Sequence, residues 1–319
     1  MNQRVGRSSI RLAHPVCIVD SASIVGKKEG EGPLGALFDM VGEDDLFGCK
    51  TWEEAESNLQ KDAVYMAMEK AGLKAEDISY LFAGDLLAQG IATSFGISAY
   101  HIPLFGLYGA CSTCGEALTV GAMTVAGGYA EHVVCVTSSH FGSAEKEFRF
   151  PLDYGNQRPL SASWTVTGSG AFVLGKDQKC KANMGACMAP ASADTLERHF
   201  EDFHVQPEEY DRIITGDLGS VGQTVLIDLL REKGIDIADR HMDCGIEIFD
   251  AEAQDTHAGG SGCGCSAVTL SAYILPKLES GEWKKVLFLP TGALLSKTSF
   301  NEGRSVPGIA HAVVLESPR

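Results

Sequence analysis

The sequence predicts an α/β protein made of two duplicated halves, with two sheets enclosing a pair of buried helices. Three observations predict it. Segments recur in the same order in both halves, apolar strand-like runs alternate with helical ones, and two nearly chargeless helices of small residues occupy corresponding places. At 319 residues the chain exceeds one ordinary core, which agrees with two halves or one large layered domain.

The first echo sets "EDISYLFAGDLLAQG" (Glu76–Gly90) against "EEYDRIITGDLGSVG" (Glu208–Gly222), each an acidic pair, a β-branched and aromatic run, then Gly-Asp-Leu. Asp85 and Asp217 are thereby equivalent. A second echo pairs Cys111–His140 with Gly262–Ser296: a Gly/Cys/Ser turn, a small-residue helix, a short link and a strand ending in Thr. A third pairs "GSGAFVLGKD" with "GIAHAVVLES", each closing its half. Recurrence at this scale marks a repeated supersecondary unit.

In chain order, "HPVCIVDSA" reads as a strand with Cys17 as a small buried hydrophobe, and Cys135 in "HVVCVTSS" reads the same way. Thr51 followed by Glu54 is a capping box, opening a helix that carries Ala55, Leu59 and Met66 and stops near Gly72. Ser220 followed by Gln223 opens the matching helix, which ends at Gly234. Continuous apolar strands between helices imply parallel-type sheets covered on both faces. The helices after Cys111 and after Gly262 are apolar all round, which is the mark of a buried helix.

The net charge of −16 opposes binding to nucleic acid or to anionic lipid, both gripped by Lys and Arg. The run from Leu86 to Ala130 carries one charge, Glu116, but Gln89, His101, Pro103 and many Gly, Ser and Thr residues make it core, not a membrane span. No signal peptide is visible, and ten cysteines in a chain of this length fit a reducing compartment. Cys111-x-x-Cys114 could be a redox pair, or half of a metal site with Cys263-x-Cys265; in so buried a segment, Cys114, Cys263 and Cys265 read better as packing.

A cysteine opening a buried helix in one half, and a His-Ala-Gly-Gly-Ser-Gly loop opening its equivalent, resemble the thiolase fold of thiolases and ketoacyl synthases. The resemblance implies a five-layer αβαβα architecture, halves at 1–177 and 178–319, and a homodimer paired edge to edge. "GACSTCGEAL" resembles the nucleophile motif and places Cys111 there; "DTHAGGSGCG" resembles the thiolase Gly-His-Pro-x-Gly-x-Ser-Gly loop and places His257 at a catalytic His or Asn position.

The runs "VCIVDSASIVGKKEGEGPLG", "ESNLQKDAVYMAMEKAGL", "SFGISAYHIPLFGLYGACSTCGEAL" and "PTGALLS" resemble more narrowly the stage V sporulation protein AD family of spore-forming bacteria. That likeness implies a protein binding dipicolinic acid (pyridine-2,6-dicarboxylic acid) or its calcium chelate. It further implies other stage V sporulation membrane proteins as partners, moving the compound into the forespore and out at germination. The expected place is peripheral, on the cytoplasmic side of the forespore or spore inner membrane, with no transmembrane segment. No cofactor is expected, calcium entering only as the chelate.

Condensing chemistry needs a thiolate and donors for an oxyanion. Where ketoacyl synthases place a His after the "IIT"-like strand, this chain has Asp217, whose charge opposes both. The terminal thiolase Cys is absent, with Pro290 and Thr291 in its region. The expectation is a binding pocket without condensing activity; the alternatives are an acyl-CoA condensing or thiolytic enzyme using Cys111, and a scaffold with a vestigial pocket. For the ligand, N–H groups near Ser112 and Thr113, and those of Gly260, Ser261 and Gly262, each take one carboxylate, with His257 as a further donor. Asp217 offers an oxygen to a chelated Ca²⁺.

Glu116 reads as a paired structural carboxylate or, alternatively, a Ca²⁺ ligand, and Asp85 as a turn residue bonding to backbone. His14, His132 and His199 carry no motif, and Leu196–Asp211 reads as a solvated face.

Overall fold

The structure, a computed structural model, describes residues 3–87, 91–149, 157–176, 180–184, 192–294, 301–303 and 305–318. The expected boundary at 177/178, Gln89, Gly90, Cys187 and Ser296 lie outside the described residues. Ten strands carry the architecture: β1 (Val16–Val25), β2 (Tyr80–Asp85), β3 (Leu104–Gly106), β4 (Val133–Ser139), β5 (Gly168–Gly175), β6 (Ala182–Met184), β7 (Arg212–Thr215), β8 (His241–Asp243), β9 (Lys285–Leu289) and β10 (Val313–Glu316). The helices are α1 (Trp52–Ala71), α2 (Ile91–Ile97), α3 (Thr113–Ala126), α4 (Phe141–Phe148), α5 (Ser192–Phe203), α6 (Gly219–Glu232) and α7 (Cys263–Thr269).

The first five strands run in the order β3-β2-β4-β5-β1, and the second five in the order β8-β7-β9-β10-β6. Strand for strand the two orders are the same. Orientations match too: β2 is parallel to β3 and β4, as β7 is to β8 and β9. β5 is antiparallel to β4 and β1, as β10 is to β9 and β6. Asp85 ends β2 and Asp217 follows β7, so the Gly-Asp-Leu echo falls at equivalent strand ends.

Two expectations need correction. The arrays are mixed rather than parallel, because the last strand of each, β5 and β10, runs antiparallel to both its neighbours. Nor are they separate sheets: β1 and β6 pair antiparallel, with Ile18 opposite Ala182 and Val16 opposite Met184. This pairing satisfies backbone groups that would otherwise stand on two buried edges.

Period-two alternation sorts each strand's side chains between two cores. Val133 and Cys135 of β4 face a central core with Phe82, whereas Val134 and Val136 face an outer core with Leu81 and Ala83. In the second array Val286 and Phe288 of β9 face the central core, and Leu287 and Leu289 face a second outer core. α1 supplies Leu59, Ala63 and Val64 to one outer core; α5 and α6 supply Leu196, Phe200, Leu226 and Leu230 to the other. α3 and α7 fill the centre. The layers are therefore helix, sheet, helix pair, sheet, helix.

α7 packs against β4 and β5, strands of the other array. Gly170 of β5 permits it: a Cβ there would lie 2.7 Å from the Ala267 carbonyl carbon. α7 continues through a π turn (Leu270–Ile274) into a last helical segment, Leu275–Ser280. Pro276 lacks an N–H and would crowd the carbonyl before it, which accounts for the widened turn just upstream.

Cap chemistry agrees with the sequence at one helix and not at the other. Thr51 Oγ1 accepts from Glu54 N at 3.1 Å, and α1 ends at Gly72 with φ 72°. Glu54 reaches back to Lys50 N at 3.0 Å rather than to Thr51 N. Ser220 caps nothing, since it lies inside α6. There the cap is Asp243, whose carboxylate accepts from Leu218 N at 2.9 Å and Gly219 N at 3.1 Å. The Leu196–Asp211 stretch is also not a solvated face: α5 buries Thr195, Leu196, His199 and Phe200.

Candidate functional site

Cys111 stands in a 3-10 turn, Ala110–Ser112, that leads into α3. Ala110 has φ 48°, a conformation costly for any residue with a Cβ and one that recurs at functional turns. Side chains hold the turn. Thr113 Oγ1 donates to Ala110 O at 2.6 Å and accepts from Gly109 N at 3.0 Å. Ser112 Oγ donates to Gly109 O at 2.7 Å and lies 3.1 Å from Nδ1 of buried His311. A short strand, Thr291–Ala293, runs against this turn. Its Gly292 is required, since a Cβ would lie 2.4 Å from Gly109 O.

Beside the turn opens a cavity of about 590 Å³. Cys111, Asp217, Ser261 and Thr291 line it, together with Tyr108 and Arg149. Asp217 is its centre of hydrogen bonding: Oδ2 accepts from Gly262 N at 2.9 Å, and Oδ1 accepts from Thr291 Oγ1 at 3.2 Å. The Cys111 thiol lies beside the same carboxylate. Burial pushes the Asp217 carboxyl up to about 7, against the pull of these donors. Burial, and then the charge of Asp217, push the Cys111 thiol well above its ordinary range.

The structure therefore brings Cys111, Asp217 and Ser261 to one cavity and corrects the rest of the expected site. Ser112 and Thr113 are buried, and their N–H groups already donate to Gly109 O and Ala110 O. Gly260 is buried in a short strand beside Trp164. Gly262 N–H is taken by Asp217, and Gly264 N–H by Ser139 Oγ at 3.1 Å. The protein thus places its own carboxylate where a ligand's was expected. His257 does not line the cavity. Its backbone is left-handed (φ 57°), and its ring lies 2.8 Å from Pro159 O and 3.1 Å from Asp255 Oδ1.

Arg149, which the sequence did not single out, is the cation among the described lining residues. It follows α4, donates to Ser163 O at 3.0 Å and pairs with Glu145 at 2.9 Å. Nothing local marks it, because an arginine ending an amphipathic helix is ordinary surface chemistry. Glu116 is half-buried, with Oε2 lacking a partner among the described residues, and is not the paired carboxylate expected. Asp85 accepts from Thr93 N at 3.3 Å and Thr93 Oγ1 at 2.8 Å. Cys114, Cys263 and Cys265 are buried; Cys263 Sγ donates to Ser138 O at 2.9 Å, as core thiols do.

Comparison with known proteins adds the following. The family model for stage V sporulation protein AD matches residues 6–316. Stage V sporulation protein AD of Bacillus subtilis (strain 168) is 40% identical over 329 residues, covering 98% of this chain and 97% of that protein. Among solved structures, Xanthomonas campestris OleA with acetamide bound superposes with TM-score 0.60 at 15% identity, covering 95% of this chain and 99% of that one. The 3-oxoacyl-[acyl-carrier-protein] synthase III of Aquifex aeolicus VF5 gives TM-score 0.56 at 14% identity, covering 94% and 99%. At such identities these structures speak for a shared thiolase-like fold alone. Among the described residues no helix is long and apolar enough to cross a membrane.

Proposed function

The chain belongs to the stage V sporulation protein AD family, and from that membership we propose that it is a non-catalytic thiolase-fold protein binding dipicolinic acid or its calcium chelate. In this reading it acts peripherally at the forespore or spore inner membrane, as a homodimer beside other stage V sporulation membrane proteins, in uptake of the compound and its release at germination. One observation carries the non-catalytic part. Cys111 and Asp217 line the same cavity, burial and then the Asp217 charge disfavour the thiolate, and the place where an oxyanion must be stabilised holds an acidic side chain. No histidine lines the cavity among the described residues, which removes the usual base.

The binding part is supported by the cavity's volume and by Arg149, whose planar fork suits a carboxylate. Tyr108 adds an aromatic wall for a pyridine ring. Asp217 opposes a bare dianion and favours the neutral chelate, whose Ca²⁺ accepts a further oxygen.

Calorimetric titration with dipicolinate, with and without Ca²⁺, tests the reading. The expected results are tighter binding with Ca²⁺, a loss of about tenfold or more in Arg149→Gln, and a smaller Ca²⁺ effect in Asp217→Asn. His257→Ala should bind as the wild type does. A stoichiometric acyl adduct on Cys111 after incubation with short acyl-CoA, with turnover, would restore the condensing-enzyme reading.

A further inference from the structure

A second cavity, of about 330 Å³, opens where the N-terminal segment crosses the second array, and it shares no lining residue with the Cys111 cavity. Arg11 and Lys285 line it, each over an aromatic ring: Arg11 lies 5.2 Å from the Phe203 ring centre and Lys285 5.0 Å from that of Tyr210. Lys285 has one carboxylate near, Glu316 at 3.6 Å. No acidic group stands within ion-pair distance of Arg11 among the described residues. Leu12, Val205 and Val314 supply apolar walls.

His199, on α5, also lines this cavity and is only 1% exposed. Nε2 lies 2.6 Å from the Tyr210 hydroxyl, while Nδ1 is buried with no partner among the described residues. A buried ring nitrogen without a partner carries a desolvation penalty, which a bound molecule relieves by meeting it. Burial and Lys285 lower the His199 pKa to about 4, so the ring is neutral near pH 7 and Nδ1 offers one hydrogen bond rather than a charge.

We infer that this second cavity binds a small aromatic carboxylate, its charged head held by Arg11 and Lys285, its ring against Phe203 and Tyr210, and a polar atom on Nδ1 of His199. Guanidinium and ammonium together suit a carboxylate head, and ring-stacked cations lose less on desolvation than bare ones. Convergent polar groups in a largely apolar concavity are what small-molecule sites are made of.

The test is calorimetric titration of the full chain with 3-phenylpropionate, and with its uncharged amide as a control. Saturable binding of the acid and none of the amide is expected, weakened at least tenfold in Arg11→Gln and in Lys285→Gln. Both side chains reach solvent, so these variants should keep the wild-type unfolding midpoint, checked by circular dichroism. The inference is overturned if the acid does not saturate. It is overturned equally if amide and acid bind alike, or if binding survives Arg11→Gln but disappears in Arg149→Gln, which would place the ligand in the Cys111 cavity.

Discussion

Cys111 and Asp217 form a pair in which the thiol keeps its hydrogen because burial, and then the neighbouring carboxylate, disfavour the thiolate. Replacing Asp217 by Asn removes the charge that opposes the thiolate. Alkylation of Cys111 by iodoacetamide at pH 8 should then rise about tenfold as more thiolate forms; peptide-resolved mass spectrometry reads it, and an unchanged rate would sink the coupling. Asp217 also sets a stability slope. Its folded pKa of about 7 stands above the ordinary 3.8, so between these values the folded chain holds a proton that the unfolded chain has released. Stability from this residue is therefore full below pH 4 and is lost as pH rises through 7. Urea midpoints should show Asp217→Asn gaining on the wild type between pH 5 and pH 8. Cys111 and Asp217 were legible in the sequence because each recurs in a pattern: a small-residue turn before a chargeless helix, and a Gly-Asp-Leu after a strand. Arg149 and His311 were not legible, since each reaches the site only through the tertiary fold. His257 was misplaced because its left-handed backbone, which no side-chain motif reveals, turns the ring towards Asp255.

At the scale of elements, the contrast between Thr51 and Ser220 shows what a capping pattern can and cannot establish. Thr51 stands before its helix and caps it, whereas Ser220 fits the same pattern but lies within α6. Asp243, at the end of β8, does the work from a distance: it accepts from Thr215 Oγ1 at 2.6 Å and Gly245 N at 3.0 Å, as well as from the start of α6. Asp243→Ala leaves several buried donors unmet and should cost about 3 kcal/mol or more. Ser220→Ala, on an exposed residue, should stay within about 0.5 kcal/mol. Urea unfolding compares the two, and equal effects would return the cap to Ser220. Strand and helix identities were readable because continuous apolar runs and chargeless helices signal two-sided burial. The seam between β1 and β6 was not, since β6 contributes only three residues and pairing partners leave no local mark.

For the whole molecule, the edge strand β3 is the place where the proposed homodimer would form. All three of its residues are exposed, Phe105 at 50%, and among the described residues it pairs with β2 alone. An apolar strand edge left open to water invites a partner strand. Phe105→Lys should therefore convert a dimer to a monomer in sedimentation velocity; a wild-type chain that sediments as a monomer would remove the dimer from the proposal. The repeated strand order was foreshadowed by the three sequence echoes, because duplicated units keep their turn chemistry even where their loops diverge.

The packing of α7 on β4 and β5 also has a consequence in time. A ribosome finishes β5 at Gly175 long before it reaches Cys263, so the inner face of the first array waits for a helix not yet made. During that interval α3 can cover only part of the surface, and Thr137, Gly168 and Gly170, the positions that will meet Cys263, Val268 and Ala267, stand open to the solvent or to a chaperone. The first half of this protein is thus born incomplete, and its inner face stays exposed until the second half arrives to close it.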